Sequence, residues 1–254
     1  MPTNPDSAVA ITQDGLLDRR ITLRQPRHGY RAGDDAVLLA AAVPAKAGQA
    51  VLDAGAGVGA VSLCLAWRCP DLTLHGLELQ PELARLGGDN IAGNGLADRV
   101  AILQGDIRQP PAEIGQTVFA HTVCNPPFHV AGRASAPPDR SKAIAHGEGE
   151  TPLQDWLAFC LRRTVSGGSV TIIHRSERLS AVLAGLRQGA GDIVVFPLWA
   201  RPGRPAKRTI VQARVGAKGP DVMHPGLCLL DADGNDSEAA RKVLRDGAAL
   251  DLSS

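Results

Sequence analysis

The chain has 254 residues, 44% of them hydrophobic and 21% charged, an ordinary composition for a globular protein with a sizeable core. Its formal net charge of +1 excludes a strongly basic surface overall, so a nucleic-acid partner would have to be held by a local patch. Five scattered cysteines without a C-x-x-C pair, no secretory signal at the start and no membrane-length apolar run indicate a reduced, cytoplasmic protein without a metal site.

Strand and helix patterns alternate along the chain. Residues 1–20 are polar and rich in turn residues, which predicts a flexible arm, loose or weakly paired, ahead of a single domain over residues 21–254. After a short strand, a helix is expected to begin with Asp34 or Asp35 as its cap and to stop at Pro44. Further strands are predicted in QAVLDAG and over residues 72–79, 99–106, 117–125 and 167–176, with helices over 81–95, 152–165, 177–189 and 236–250.

The last two predicted strands, over residues 192–199 and 208–216, have no helix between them, which suits an antiparallel hairpin. The earlier alternation of strands and helices implies a mostly parallel sheet with helices on both faces. The sequence therefore predicts a doubly wound α/β fold with an antiparallel C-terminal hairpin. Residues 129–150 show no periodicity, and a loop of that length in a compact domain is usually functional or disordered.

A glycine-rich turn in VLDAGAGVGA places Gly55, Gly57 and Gly59 between a strand and a helix. Such a turn lets a ligand approach the backbone near a helix N-terminus. Glu78 ends the next strand about twenty residues on, where a carboxylate accepts hydrogen bonds from both hydroxyls of a ribose. These residues predict a ligand that contains a nucleoside.

Two aspartates narrow the choice of ligand. An NAD-binding turn usually reads G-x-G-x-x-G, whereas this one reads D-x-G-x-G-x-G. Asp53 would repel a pyrophosphate and suits a cationic ligand, such as the amino-acid part of S-adenosylmethionine. Asp106, at the end of the third strand of the alternating series, is placed to bind an adenine amine. The alternative is that these carboxylates only cap helices or turns, but their shared position at strand carboxyl ends favours ligand binding.

The segment CNPPF follows the apolar run FAHTV. Because Pro126 and Pro127 have no backbone N–H, the chain must leave the sheet there, with Phe128 held on a stiff turn. The alternative is an ordinary loop with Phe128 in the core. The ligand-binding pattern upstream favours a functional turn.

The segments LDAGAGVGA, LEL, GD and NPPF stand in the order found in class I S-adenosylmethionine-dependent methyltransferases, which the chain resembles. The resemblance implies a Rossmann-like sheet of seven strands, with S-adenosylmethionine as cofactor and S-adenosylhomocysteine as product. The N-P-P-[YF] motif is similar to that of enzymes that methylate a planar nitrogen: adenine N6, guanine N2 or protein glutamine N5. The cofactor-binding residues it implies are Tyr30, Asp35, Asp53, Gly55, Gly57, Gly59, Glu78, Leu79, Asp106 and Asn125.

Residues 24–41, the segment KRTIVQAR and the closing tail are similar to bacterial tRNA1(Val) adenine N6-methyltransferases. This resemblance covers most of the chain and implies a tRNA adenine as the target. Gly29, Tyr30 and Asp35 match a segment that lies over the methionine end of the cofactor. The chain has NPPF where that family typically has NPPY, and NPPF is common in ribosomal RNA guanine N2-methyltransferases, so both bases remain candidates.

The resemblance assigns the chemistry to CNPPF. An amine on a base is a poor nucleophile, because its lone pair is delocalised into the ring. The side-chain carbonyl of Asn125 and the backbone carbonyl of Pro126 are each expected to accept one amine N–H and to stabilise the developing positive charge. Pro127 fixes the turn, and Phe128 offers a face on which the base stacks, worth about 1–3 kcal/mol. His129 is expected to face solvent.

Basic residues gather in two loops. Arg201, Arg204 and Lys207 lie in RPGRPAKR, and Arg133 follows CNPPF. A solvated charged loop is the usual interpretation. Both loops nevertheless fall at the carboxyl side of the predicted sheet, so we expect them to contact RNA phosphates, those of tRNA above all. No membrane or metal partner is expected, and a monomer is assumed.

Other classes of function stay open. A protein glutamine N5-methyltransferase acts on the same planar NH2 group, which CNPPF does not exclude, although the basic loops favour RNA. A non-catalytic binding module is disfavoured by the intact Asp53, Glu78 and Asn125. An oxidoreductase is disfavoured by the type of glycine turn.

Overall fold

A computed structural model describes residues 10–29, 31–127 and 151–252 of the chain. The strands are β1 (Ile11–Leu16), β2 (Ile21–Pro26), β3 (Ala50–Ala54), β4 (Thr73–Glu78), β5 (Val100–Gln104), β6 (Phe119–Cys124), β7 (Thr164–Arg175), β8 (Ala190–Trp199), β9 (Arg208–Val215), β10 (Val222–Met223) and β11 (Leu227–Cys228). The helices are α1 (Asp34–Ala42), α2 (Ala60–Arg68), α3 (Pro81–Gly93), α4 (Ala112–Gly115), α5 (Leu153–Arg163), α6 (Leu179–Leu186) and α7 (Glu238–Leu244), with a 3-10 turn at Ser176–Arg178 before α6. None of the described helices is long and apolar enough to cross a membrane.

The central sheet has the strand order β5-β4-β3-β6-β7-β9-β8, with β10 and β11 both pairing with the outer strand β8. Strands β3 to β7 are parallel to one another, and β9 is antiparallel to both β7 and β8. The predicted α/β fold with a C-terminal hairpin is thus confirmed. The expected count of seven strands is too low, because the described residues form a sheet of nine. Strands β10 and β11 are two residues long and carry no alternation.

Both faces of the sheet are covered by helices, which explains why its central strands are continuously apolar. Val51 of β3 belongs to a buried cluster with α1, α2 and α3 on one face. Its neighbour Leu52 belongs to a second cluster with α5 and α6 on the other. Successive residues of a strand point to opposite faces, so a strand buried on both sides has no polar alternation.

An N-terminal hairpin includes part of the segment predicted as an arm over residues 1–20. Strand β1 pairs with β2 in an antiparallel register from Ile11↔Pro26 to Leu16↔Ile21. The hairpin is held because Leu17, Ile21 and Leu23 are buried in the first core cluster. The division of the chain into an arm and a single domain stays a prediction, but residues 11–20 are part of a paired ribbon.

Two asparagines, Asn90 in α3 and Asn94 at its C-cap, attach this hairpin to the domain. The side chain of Asn90 accepts from the N–H of Arg24 at 2.9 Å and donates to its carbonyl at 2.8 Å. One turn later, Asn94 makes the same pair of bonds with Thr22, at 3.0 and 2.8 Å. The two carboxamides thus pair with the open edge of β2 as a neighbouring strand would.

Helix α1 begins at Asp34, one residue earlier than a cap at Asp34 would place its first residue. Gly33 is the N-cap and no side chain caps the helix, so the prediction of Asp34 or Asp35 as the cap is wrong. Asp35 lies inside the first turn and its carboxylate forms an ion pair with Arg208, the first residue of β9. The helix ends at Ala42, two residues before Pro44, close to the predicted stop.

Candidate active site

The carboxyl ends of three adjacent strands bring the main predicted residues together. Strand β3 lies between β4 and β6, and Ala54 at its end pairs with Cys124 at the end of β6. Gly55 and Asn125 are the next residues, so the glycine turn and CNPPF leave the sheet side by side, with their strands about 4.8 Å apart. The strand order reverses between β3 and β6, and open α/β sheets bind ligands at such a point.

The glycine turn has the geometry of a backbone cradle. Gly55, Gly57 and Gly59 have φ values of 78°, 56° and 83°, a region that residues with a side chain rarely adopt. The N–H groups of Gly55 and Ala56 donate to the carbonyl of Leu77 in β4, at 2.8 and 3.0 Å. A Cβ on Gly57 would point into open space. The turn is therefore shaped by the sheet, and its outer side has room for a ligand.

Glu78 joins this turn to the end of β4. Its Oε2 accepts from the N–H of Gly57 at 2.8 Å, and its Oε1 accepts from the N–H of Gln80 at 2.9 Å. The residue is 7% exposed. Burial raises the pKa of Glu78, and the backbone N–H donors around it oppose that shift. Leu79 beside it is 48% exposed, which places an apolar surface next to the carboxylate.

Asp53 lies beneath the turn rather than at its mouth. It is 1% exposed, and its Oδ2 accepts from the hydroxyl of Ser62 at 2.7 Å. Burial raises the pKa of Asp53 to about 6, against the lowering effect of the Ser62 hydrogen bonds. The carboxylate therefore fixes the first turn of α2 under the cradle, and its contact with a cofactor stays a prediction.

Asp106 lies at the same edge, in the turn after β5, and its carboxylate is already hydrogen-bonded to a neighbouring residue. Its Oδ2 accepts from Nη2 of Arg108 at 2.7 Å, and its Oδ1 accepts from the Arg108 backbone N–H at 2.8 Å. The hydrogen bond with the Arg108 side chain lowers the pKa of Asp106. A ligand amine would have to share this carboxylate with Arg108, and the adenine-binding role of Asp106 stays a prediction.

The CNPPF segment leaves the sheet as predicted. Strand β6 ends at Cys124, Pro126 is buried, and Asn125 and Pro127 are partly exposed. Phe128 and His129 lie outside the described residues, as do Tyr30 and Arg133. The structure thus describes Asn125, Pro126 and Pro127 and not the aromatic residue of the motif.

The basic loop between β8 and β9 lies at the carboxyl edge. Arg208 pairs with Arg175, the last residue of β7, so the chain enters β9 at the edge where β6 and β7 end. Arg201, Arg204 and Lys207 are all exposed in this loop. The edge position predicted for the loop is confirmed, and its contact with RNA stays a prediction.

Asp35 also lies at this edge, with a partner inside the protein. Burial raises the pKa of Asp35, and the charge of Arg208 opposes the shift. The ion pair ties the start of α1 to the basic loop. Gly29, in the segment before α1, has a φ of 103°, which only glycine adopts readily. The contact of this segment with a cofactor stays a prediction.

One residue that lies against the glycine turn is not part of any motif in the sequence. Trp156, in the first turns of α5, has its ring edge 2.9 Å from the position of a Cβ on Gly55. Its Nε1 is buried and donates no hydrogen bond within the described parts of the chain. The available signal was an aromatic residue near the start of a helix in a chain that is only 3% aromatic.

No group of three or more histidine, cysteine or acidic side chains with metal-binding geometry occurs in residues 10–29, 31–127 and 151–252. The two half-exposed and three buried cysteines are free thiols. The expected absence of a metal remains an expectation.

The methyltransferase small domain family matches residues 32–139. A tRNA1(Val) (adenine(37)-N6)-methyltransferase of Aeromonas hydrophila is 31% identical over 170 residues, which cover 66% of this chain and 70% of that protein. Its namesake from Porphyromonas gingivalis is 33% identical over 167 residues, or 63% and 65% of the two chains. The Shewanella amazonensis protein of that name is 28% identical over 222 residues, or 86% and 91%.

Solved structures agree on the fold. A predicted O-methyltransferase of Agrobacterium tumefaciens superposes with a TM-score of 0.70 at 22% identity, covering 85% of this chain and 97% of that one. An S-adenosylmethionine-dependent O-methyltransferase of Thermotoga maritima gives 0.53 at 18% identity, covering 76% and 69%. At these identities the likeness establishes the class I methyltransferase fold and leaves the substrate open.

Proposed function

Given that the chain belongs to the tRNA1(Val) (adenine(37)-N6)-methyltransferase family, we propose that it methylates the N6 amine of an adenine in tRNA. The observation that carries this proposal is the adjacency of the cradle and CNPPF. Asn125 and Gly55 follow paired residues of β6 and β3, so an amine held at Asn125 lies beside a ligand held on the glycine turn.

The cofactor proposed is S-adenosylmethionine, and the residues around the glycine turn fit it. The turn presents three glycines with positive φ and open space above Gly57. The buried carboxylate of Glu78 keeps lone pairs beyond its two backbone bonds with which to accept ribose hydroxyls. Leu79 offers an apolar surface for the nucleoside. When bound, the cofactor supplies a methyl group on a positively charged sulfur, which is already activated for transfer.

The protein's own part is to hold the amine. The side-chain carbonyl of Asn125 and the backbone carbonyl of Pro126 each accept one N–H of the NH2 group. These bonds favour a pyramidal nitrogen with its lone pair free, and they strengthen as positive charge develops on it. Because Pro126 and Pro127 hold the turn rigidly, little reorganisation accompanies the reaction.

The aromatic residue of the motif is proposed to contact the target base. We propose that Phe128 stacks on an adenine extruded from a folded RNA, as an RNA base must be before chemistry at its amine. Guanine N2 and glutamine N5 present the same NH2 geometry. The names of the matched relatives favour adenine N6, and Arg201, Arg204 and Lys207 are proposed to hold tRNA phosphates.

The experiment is methyl transfer from labelled S-adenosylmethionine to total tRNA, followed by nucleoside analysis. Label in N6-methyladenosine is expected. The Asn125→Ala variant should lose about 100- to 1000-fold in kcat, the usual effect of removing one group that stabilises the transition state. Asn235→Ala, in an exposed loop, is the matched control and should keep activity. Label in a guanine, or in ribosomal RNA or protein instead of tRNA, would overturn the proposed substrate.

A further inference from the structure

The N-terminal hairpin and the loop after it are more basic than the chain as a whole. Residues 11–33 contain five arginines against two aspartates, a formal net charge of +3, whereas the entire chain carries +1. Arg31 is paired with Asp14. Arg24 and Arg27 are exposed, and neither forms an ion pair with any residue that the structure describes. Two cations are therefore available to an outside partner.

The hairpin holds these cations in fixed places. Arg24 lies between the buried residues Leu23 and Gln25, so its side chain points away from the core. Its backbone N–H and its backbone carbonyl both form hydrogen bonds with the side chain of Asn90, which is 2% exposed. A basic side chain on a backbone anchored in this way loses less freedom on binding than one on a loose arm.

The loop after β2 is closed at its base. The Gln25 side chain accepts from the N–H of Ala32 at 2.9 Å and donates to its carbonyl at 3.3 Å. Arg31 donates to the carbonyl of Pro26 at 3.0 Å. The loop that carries Arg27 is therefore closed by hydrogen bonds between its two ends, at residues 25–26 and 31–32.

This surface belongs to the edge that carries the site. The side chain of Asn90 that holds Arg24 also donates to the carbonyl of Val58, within the glycine turn, at 2.9 Å. The hairpin contacts α3 and α2, on the β4 side of the point where the strand order reverses. The loop with Arg201 and Arg204 lies on the other side, above β9 and β8, roughly 10–14 Å from β6 by strand spacing.

We propose that the hairpin face, defined by Arg24 and Arg27, is a second RNA-binding surface that contacts phosphates on the side of the site opposite the β8–β9 loop. An RNA that presents one extruded base at CNPPF extends in both directions along its backbone, and each direction meets cations. The inference rests on the proposed tRNA substrate and adds to it the place where the second flank of the RNA is held.

The test is tRNA binding by the full chain over a series of salt concentrations. Each phosphate contact releases bound counterions and steepens the fall of log K with log salt by about one unit. Arg24→Gln/Arg27→Gln should weaken tRNA binding about 10-fold at low salt and make the slope shallower by about 1 to 2 units. Arg24→Lys/Arg27→Lys keeps both charges and should restore most of the slope. Arg19→Gln, in the exposed turn at the far end of the same hairpin, is the matched control and should leave it unchanged.

Binding of S-adenosylhomocysteine and the thermal midpoint should be the same in all of these variants, because neither arginine side chain has a contact in the core. If the double glutamine variant keeps the wild-type affinity and slope, the hairpin face does not bind RNA, while the proposed function stands. If the wild-type protein itself shows no salt-dependent tRNA binding, the proposed substrate fails and this surface with it.

Discussion

At the scale of single residues, Glu78 carries the clearest prediction. Its two oxygens accept from the N–H groups of Gly57 and Gln80, and the same oxygens are proposed to accept the ribose hydroxyls. In Glu78→Gln one carboxylate oxygen becomes an NH2 group, which can accept neither a backbone N–H nor a ribose hydroxyl. We expect S-adenosylhomocysteine to bind about 10- to 100-fold more weakly in calorimetry, the range for a hydrogen bond to a charged group.

The matched control for that variant is Glu82→Gln, an exposed acidic residue in the first turn of α3. It makes the same chemical change on the same side of the domain without touching the turn. Equal dissociation constants for the two variants would remove Glu78 from the cofactor site.

Asp53 makes stability depend on pH. Burial raises its pKa from 3.8 to about 6, so between about pH 4 and pH 6 the folded state binds more protons than the unfolded state. Stability attributable to Asp53 therefore falls as pH rises through that window, by up to about 3 kcal/mol. In Asp53→Asn this dependence should vanish, so the variant gains stability relative to the parent as pH rises.

Urea unfolding at about pH 4 and about pH 7 measures this change. Asp71→Asn, at an exposed position, makes the same chemical change and is the matched control. A difference between Asp53→Asn and the parent that is the same at both pH values would show that the buried carboxylate does not titrate in this range.

At the scale of elements, the side chains of Asn90 and Asn94, at the C-terminal end of α3, should hold the N-terminal hairpin to the domain. Asn90→Ala removes three hydrogen bonds and leaves the backbone N–H and carbonyl of Arg24 and the carbonyl of Val58 without these partners, which should cost about 2–3 kcal/mol of unfolding free energy. Asn94→Ala, at a half-buried position, should cost about 1 kcal/mol. Hydrogen exchange separates them, because the Arg24 amide should lose protection in the first variant and the Thr22 amide in the second. Equal protection in both would show that the ribbon does not depend on these side chains.

The same pair shows where sequence reasoning reaches its limit. Asn90 and Asn94 are four residues apart and share one helix face, which the sequence makes plain. That this face meets the edge of β2 depends on tertiary packing. Strand β1 was not predicted because its residues alternate between exposed and half-buried positions, with none of them fully buried. By contrast, the parallel strands were found because burial on both faces leaves continuous apolar runs.

At the scale of the whole molecule, cofactor binding and folding should be linked. A ligand at 100 times its dissociation constant adds about 2.7 kcal/mol to the stability of the folded state, which in a chain of this size raises the thermal midpoint by about 5–10 °C. We expect S-adenosylhomocysteine to produce this shift in one cooperative transition, as the predicted single domain requires. Calorimetry that resolved two transitions, only one of them shifted, would contradict that domain division.

The site was predictable to the extent that topology decides it. Parallel strands end at one edge, so Glu78, the glycine turn and Asn125 converge whatever their side chains do. The sequence does not reveal which carboxylates are already engaged. Asp53 finds Ser62 nine positions on, through the packing of α2 against β3, and Asp106 finds Arg108 in its own turn. Such internal partners decide whether an acidic residue binds a ligand or supports the residues that do.

The contact between Trp156 and Gly55 gives the protein an optical probe of its own. The chain has three tryptophans, and the other two are remote from the turn: Trp67 packs near Gly247, and Trp199 donates to the carbonyl of Pro225. With Trp67 and Trp199 replaced by phenylalanine, emission would come from the indole that lies against the cradle. Occupation of the turn could then be followed in real time, without label and without waiting for a methyl group to move.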